Sequence, residues 1–272
     1  MKKITSILLG MMAVAMLISC EKDPQPEPEP DPVNPEDPAV LVLLPNAVTD
    51  IEGHQYDAVQ IGSQVWMAEN LRAHRYADST PIPQYNNMSG WSLKLYFPNN
   101  DINNVEEYGY LYNWIAAVNG ETAGSNANPS GIQGVCPDGW HLPSDAEWTQ
   151  LTDYLSQHHI SCGDDPATIA KALADSTGWK TSYVECAVGN TPEYNNTTGF
   201  SVRPAGTYTD GFVHFGEYAR YWSATNNGAP WDPSDWPSYV PISYWGLHYY
   251  SATVGKGSAD KWEALSVRCV RD

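Results

Sequence analysis

The amino-acid sequence predicts an α+β domain. Three observations carry that expectation. Residues 54–67 alternate apolar and polar side chains around Gly62-Ser63, as a hairpin does. Ser144-Asp145-Ala146-Glu147 has the form of a helix capping box. From Phe200 onward, short Tyr/Trp/Val-rich runs are punctuated by Gly206, Gly211, Gly216 and Gly255. A hairpin, then loops, two helices and a run of short antiparallel strands is a mixed order, which separates α+β from the alternating α/β class.

The first residues stand apart from this domain. Lys2 and Lys3 precede an apolar run from Ile7 to Ile18, too short for a comfortable membrane span of about 20 residues. The run ends in Leu17-Ile18-Ser19-Cys20, which resembles the lipobox of bacterial lipoproteins. That resemblance implies a signal peptide over 1–19 and acylation at Cys20, so that outer-membrane lipid is the partner of the new N-terminus. Residues 20–45 read as a Pro/Glu-rich disordered tether. Glu21 to Pro38 alone holds seven Pro, seven Asp/Glu and one Lys, which excludes a core, helix or sheet. In polyproline II geometry, at about 3.1 Å per residue, that segment reaches on the order of 55 Å.

Residues 46–272 read as one domain. In the hairpin, Val59 and Ile61 face one side and Val65-Trp66-Met67 returns. Residues 77–106 are rich in Asn, Pro, Asp and Ser and read as loop. Tyr108 to Val118 fits a strand or a helix equally. Behind the capping box, Trp148, Leu151 and Leu155 share one helical face. A second helix is expected from Asp165-Pro166, with Pro at its first position, Ile169, Ala170 and Leu173 inward, and an end near Gly178. Ala264 to Val270 reads as a closing strand.

The chain carries a formal net charge of -18. The domain from residue 39 holds 25 acids against 11 bases, a net -14. That balance excludes nucleic acid and anionic membrane surfaces as partners, since both require a basic footprint. Aromatics are skewed, with 11 Trp and 17 Tyr against 4 Phe. Such amphipathic rings suit a β-rich core or a ligand-facing surface.

Four cysteines remain after Cys20: Cys136, Cys162, Cys186 and Cys269. An even number in an exported domain implies two disulfides with three connectivities open. Closing the local loop from Cys162 to Cys186 would stabilise by about 3 kcal/mol in the chain-entropy treatment. None of the four has the Cys-x₂₋₄-Cys spacing of a zinc site.

Candidate chemistry is sparse. Trp231-Asp232-Pro233-Ser234-Asp235-Trp236 sets two carboxylates between two indoles. Oxygen ligands suit calcium and indoles stack on sugar rings, so Trp231, Asp232, Asp235 and Trp236, with Trp245 and Trp91, are the ligand-binding candidates. Asn99 to Asn104 is a second oxygen-rich run, but it lacks the glycine and terminal glutamate of an EF-hand loop and reads as a polar turn. His158-His159 diverge by about 100° on a helix and make poor co-ligands. Sequon matches at Asn87, Asn195 and Asn196 read as chance in an envelope lipoprotein. No Gly-x-Ser-x-Gly, His-Glu-x-x-His or phosphate loop occurs, and no catalytic residue or metal site is nominated.

Five stretches together carry a family resemblance. They are Gly53 to Leu71, Tyr108 to Ala116, Cys136 to Trp148 (CPDGWHLPSDAEW), Tyr221 to Thr225 and Ser266 to Asp272 (SVRCVRD). In that order they resemble the Fibrobacter-succinogenes-type major paralogous domain of Bacteroidota-type lipoproteins. The resemblance implies a C-type-lectin-like fold, in which the first and last strands lie side by side, and with it a Cys136–Cys269 pairing. It also implies that His141, Trp66, Trp114, Trp140, Trp148 and Trp222 are structural. The calcium-binding tripeptides of lectins, Glu-Pro-Asn or Gln-Pro-Asp with Trp-Asn-Asp, are absent, so no cofactor is expected and calcium has no motif to hold it.

The expectation for function is a lipid-anchored protein of the cell outer membrane, exposed at the surface, whose non-enzymatic domain binds a glycan or a surface protein. A structural adhesin or assembly subunit is the alternative. A degenerate formylglycine-generating-enzyme-like catalyst ranks below both, because that chemistry needs reactive thiolates.

Overall fold

A computed structural model describes residues 39–85, 94–228 and 239–272. The architecture is α+β, with most elements in two antiparallel sheets. Cys20, the signal region and most of the tether lie outside the described residues.

Strand β1 (Leu41–Thr49) begins inside the stretch read as tether and pairs antiparallel with β2 (Gln55–Ile61). β2 turns into β3 (Gln64–Met67) through Gly62-Ser63, the hairpin expected from the sequence, with Ile61 opposite Gln64. Gly62 has φ +61, and a Cβ there would meet the Tyr154 ring at 2.7 Å, so both conformation and packing require glycine. The described part of the 77–106 stretch includes β4 (Leu95–Tyr96), two 3-10 turns over 98–104 and the start of α1 (Val105–Tyr108). In the second of those turns the Asp101 side chain accepts from the Asn103 amide. The ambiguous run after it is both things in succession: β5 (Leu111–Asn113), then α2 (Trp114–Ala117), capped by Asn113 accepting from the Ala116 amide.

β6 (Trp140–His141) leads to α3 (Asp145–Gln157), where Ser144 and Glu147 form the full capping box. Trp148, Leu151 and Leu155 are buried on the inner face as the periodicity required. The second expected helix shrinks to one turn, α4 (Ala170–Leu173). Asp165 and Thr168 explain the late start. The Asp165 side chain accepts from the Ala167 amide, and the Thr168 hydroxyl donates to the Asp165 and Cys162 carbonyls. These local bonds compete with helix. The early stop has its own cause: Ala174 goes extended to bridge Val202. Four α-helices therefore stand among the described residues where two were expected, and only α3 exceeds one turn.

The rest is strand: β7 (Thr207–Tyr208), β8 (Phe212–Val213), β9 (Tyr218–Asn226), β10 (Pro241–His248), β11 (Gly255–Asp260), β12 (Ala264–Ser266) and β13 (Val270–Arg271). One sheet runs β1-β2-β3-β13-β6. The other runs β11-β10-β9-β12-β5-β4, with β7 and β8 branching from β12. Among the described strand pairs only β12–β9 is parallel. The closing run expected as one strand is thus two, in different sheets. Its last strand sits between β3 and β6, whereas β1 forms the outer edge, so first and last strands do not touch.

That terminal segment is clasped at one place. Cys136 and Cys269, both fully buried, form one disulfide, and Cys162–Cys186 forms the other. Buried His141 joins Glu147 through Nε2 (2.6 Å) and Asp272 through Nδ1 (2.6 Å). Burial disfavours its charged form, but hydrogen bonds to Glu147 and Asp272 outweigh that and raise its pKa above the ordinary value. Trp66, Trp114, Trp140, Trp148 and Trp222 are all core residues.

Two outcomes are expected. Replacing Cys136 and Cys269 together by Ser lowers the unfolding free energy by roughly 2–5 kcal/mol, since the bond closes a long loop; a urea titration measures it. The His141 contribution has a definite sign. Its folded pKa is raised, so its stabilisation is whole below the unfolded value of about 6.5 and is lost as pH rises through the folded value. Urea midpoints should fall across that window, and His141→Gln should flatten the fall.

Candidate functional site

A cleft of about 360 Å³ opens between the β1–β3 hairpin layer and the 175–203 segment. Its first wall is Leu43, Asp57 and the 68–72 stretch that follows β3. Its second is Asp175 with the turn from Asn196 to Arg203, and Glu106 and Glu107 of α1 form the rim.

Each polar side chain has a local reason for its position. The Ala174–Val202 bridge places Asp175 beside Arg203, and Arg203 Nε donates to Asp175 Oδ2 at 3.1 Å. Asp175 Oδ1 is taken by the amide and hydroxyl of Thr177, while Arg203 Nη1 pairs with Glu107 Oε1 at 2.7 Å. Asn196 adopts φ +67, which asparagine tolerates, and its side-chain oxygen accepts from the Ser201 amide. On the opposite wall, Arg72 lies over the Tyr56 ring at 4.4 Å, donates to Glu69 at 2.8 Å and reaches the Gln55 carbonyl at 2.9 Å. Burial works against its charge, yet the Glu69 carboxylate more than compensates and raises its pKa.

Behind the lining residues Asn70 and Ser201 sits a buried cation. Arg268 is fully buried, with Phe200 and Tyr221 rings 4.6 and 5.2 Å from its guanidinium carbon. It donates to the Phe200 carbonyl, to the Ser201 carbonyl at 3.2 Å and to Asn70 Oδ1 at 2.7 Å. Burial draws its pKa down from the ordinary value, opposed by Tyr221, Glu69 and Asp175. Asn70 also accepts from the Tyr221 hydroxyl and donates to the Tyr108 carbonyl. Gly109 makes that approach feasible: its φ is +72, and a Cβ would meet Asn70 Cβ and the Leu71 carbonyl at 2.7 Å.

Trp245, the one ligand-binding candidate among the described residues, does not line the cleft. Trp91, Trp231, Asp232, Asp235 and Trp236 lie outside the described residues. Trp245 is only 8% exposed; its ring stacks on Trp148 and its N–H donates to Asp145, so the structure gives it a packing role. His158 stacks on Tyr154 at the end of α3. All four domain cysteines are in disulfides.

Among the described residues, Asp50, Glu52 and His54 bring potential metal-ligand atoms within 4.8 Å of one another. Asp50 is already committed: its carboxylate accepts from the Glu52 and His54 amides and from the Tyr56 hydroxyl. Burial raises its pKa, but the Tyr56 and His54 bonds win and lower it. This is a closed β1–β2 turn, and it makes no case for a cation.

The cleft had little sequence signal, because its walls come from segments far apart in the chain. The exception is Arg268, a lone cation in the apolar run Leu265 to Val270.

The family model described as the Fibrobacter succinogenes major domain matches residues 59–271. No curated protein and no solved structure matches the chain.

Arg268→Leu should destabilise the domain by about 3 kcal/mol or more, because the Phe200 and Ser201 carbonyls and Asn70 would each lose a buried donor. Equilibrium unfolding in urea checks this; a change below about 1 kcal/mol would mean water replaces the guanidinium.

Proposed function

The chain belongs to the Fibrobacter succinogenes major domain family, and from that premise we propose a lipid-anchored outer-membrane protein whose C-type-lectin-like domain binds an extracellular ligand without catalysing a reaction. The observation that carries the binding role is the cleft. It is concave, polar, and built on a scaffold fixed by the Cys136–Cys269 bond. Pre-formed concave sites with a few placed polar groups are the usual form of ligand sites. With all four domain cysteines in disulfides, thiolate chemistry has no group to run on, which supports a binding role.

Leu17-Ile18-Ser19-Cys20 supports the anchor, and the acidic, proline-rich spacer supports display at a distance from the membrane. No helix among the described residues is long and apolar enough to cross a membrane. The ligand in this reading is a glycan or a surface protein, and the domain's net charge of -14 argues against polyanions.

Cys20→Ala tests the anchor. The wild type should sediment with membranes and the variant should move to the soluble fraction; retention of the variant on membranes contradicts a lipid at Cys20. Protease treatment of intact cells should digest the wild-type domain, and protection would place it on the inner side.

A further inference from the structure

A cation on the second sheet is held in place yet left unused. Arg220, half-buried on β9, makes no hydrogen bond and no ion pair among the described residues. The Tyr218 and Tyr244 rings each lie 4.9 Å from its guanidinium carbon. Tyr218 comes two residues earlier on the same strand, and Tyr244 sits on β10 opposite Trp222, two residues later. The guanidinium is therefore flanked from both directions along its strand. Its Nε is shielded from solvent, so Nη1 and Nη2 are the donors left for a ligand. None of these residues lines the cleft.

The surroundings form a shallow trough. Gly246 stands directly across from Arg220, and Gly255 across from Gly246, so two successive cross-strand positions carry no side chain. A Cβ on Gly246 would clash with the Ala219 carbonyl and press on Arg220 Cγ. Tyr244 closes one end of the trough. Tyr218 closes the other, its ring 4.0 Å from His248 and 4.1 Å from His214. The Glu217 carboxylate is spent on Lys180 at 2.6 Å and on His214 at 3.4 Å, and Glu263 Oε1 accepts from the Asp260 amide. His248 reports the local sign of charge: burial first, then the charges of Arg220 and His214, lower its pKa. A positive spot thus stands on an acidic domain.

An unspent guanidinium selects an oxyanion. A carboxylate presents two coplanar oxygens that match the guanidinium fork. Phosphate carries more charge and meets more of the domain's long-range repulsion. We propose that this trough binds a monocarboxylate, its two oxygens accepting from Arg220 Nη1 and Nη2 and its body lying on the Gly255 side between Tyr218 and Tyr244. This is a second site, beyond the cleft. A single negative charge meets the domain's repulsion once, which separates such a ligand from the polyanions that the net charge disfavours.

The test is amide NMR of the full-length, ¹⁵N-labelled, detergent-solubilised protein, read at Tyr244 and Gly255. Methyl glucuronide and hippurate supply the carboxylate from a sugar acid and from an acylated amino acid. Methyl glucoside and hippuramide are their neutral counterparts, and inorganic phosphate is the rival anion. At least one of the two acids should shift both amides, its neutral counterpart should not, and the acid that binds identifies the source. Arg220→Gln should weaken that binding about tenfold or more, the worth of a charge-assisted hydrogen bond. Arg220→Lys keeps the charge without the fork and should fall between Arg220→Gln and the wild type. Arg220 has no hydrogen bond to lose, so both variants should melt close to the wild type. Four results overturn the inference: amides unmoved by either acid up to about 10 mM, neutral counterparts that bind as well, binding indifferent to Arg220→Gln, or phosphate bound in preference to both acids. Amides near Glu106 and Ser201 read the cleft separately, so failure at one site is not mistaken for failure at the other.

Discussion

Three consecutive residues near the C-terminus hold the molecule together. Val267, Arg268 and Cys269 carry the chain from β12 in one sheet to β13 in the other. The Val267 carbonyl accepts from the Leu71 amide and the Cys269 carbonyl from the Met67 amide, each at 3.0 Å, so the crossover grips the stretch that bears Asn70 and Arg72. Cys269 is bonded to Cys136, just before β6. Arg268 points its donors at Asn70 on one side and at Phe200 and Ser201 on the other. A buried cation of this kind is tolerated when most of its donors are used; here Nη1 and Nη2 are used on both walls of the cleft, while Nε has no partner. The crossover adds polar and covalent links to the apolar core that the walls share through Val59, Trp66, Phe200 and Val202.

The electrostatics of the cleft follow from that arrangement. Arg72 and Arg203 line the cleft, and fully buried Arg268 lies behind Asn70 and Ser201. Five carboxylates offset them, so the cleft is mildly acidic in a domain that is acidic overall. Anions are repelled at long range and cations at short range. The Asp50 turn, with comparable acidity, lacks this openness because its lone pairs are spent on its own loop.

The sequence made the local parts of the fold legible. The hairpin around Gly62, the capping box at Ser144 and the inward face of α3 depend on residues within a few positions of one another. The block from Cys136 to Trp148 was legible for a related reason, since its cysteine, histidine, serine and glutamate all serve one corner. The helix expected after Pro166 failed because Asp165 and Thr168 bond locally and Ala174 is drawn to Val202, a partner remote in sequence. The cleft was hidden for the same reason. Leu43, Asn70, Glu106, Asp175 and Arg203 meet only through long-range pairing, and no pattern within a window connects them. The tryptophan count left core and ligand surface open; the five rings in the family blocks are core, as the resemblance implied, and Trp245, a ligand candidate from the sequence, is core as well.

The central claim is that the ligand enters the cleft clasped by the C-terminal crossover. Backbone amides of the two walls, near Glu106 and Ser201, report on it directly. In ¹⁵N-labelled full-length protein, a saturating glycan fragment should shift those amides. If those resonances stay in place and only the indole N–H signals of Trp231 and Trp236 move, the ligand binds at the tryptophan loop and the account is wrong.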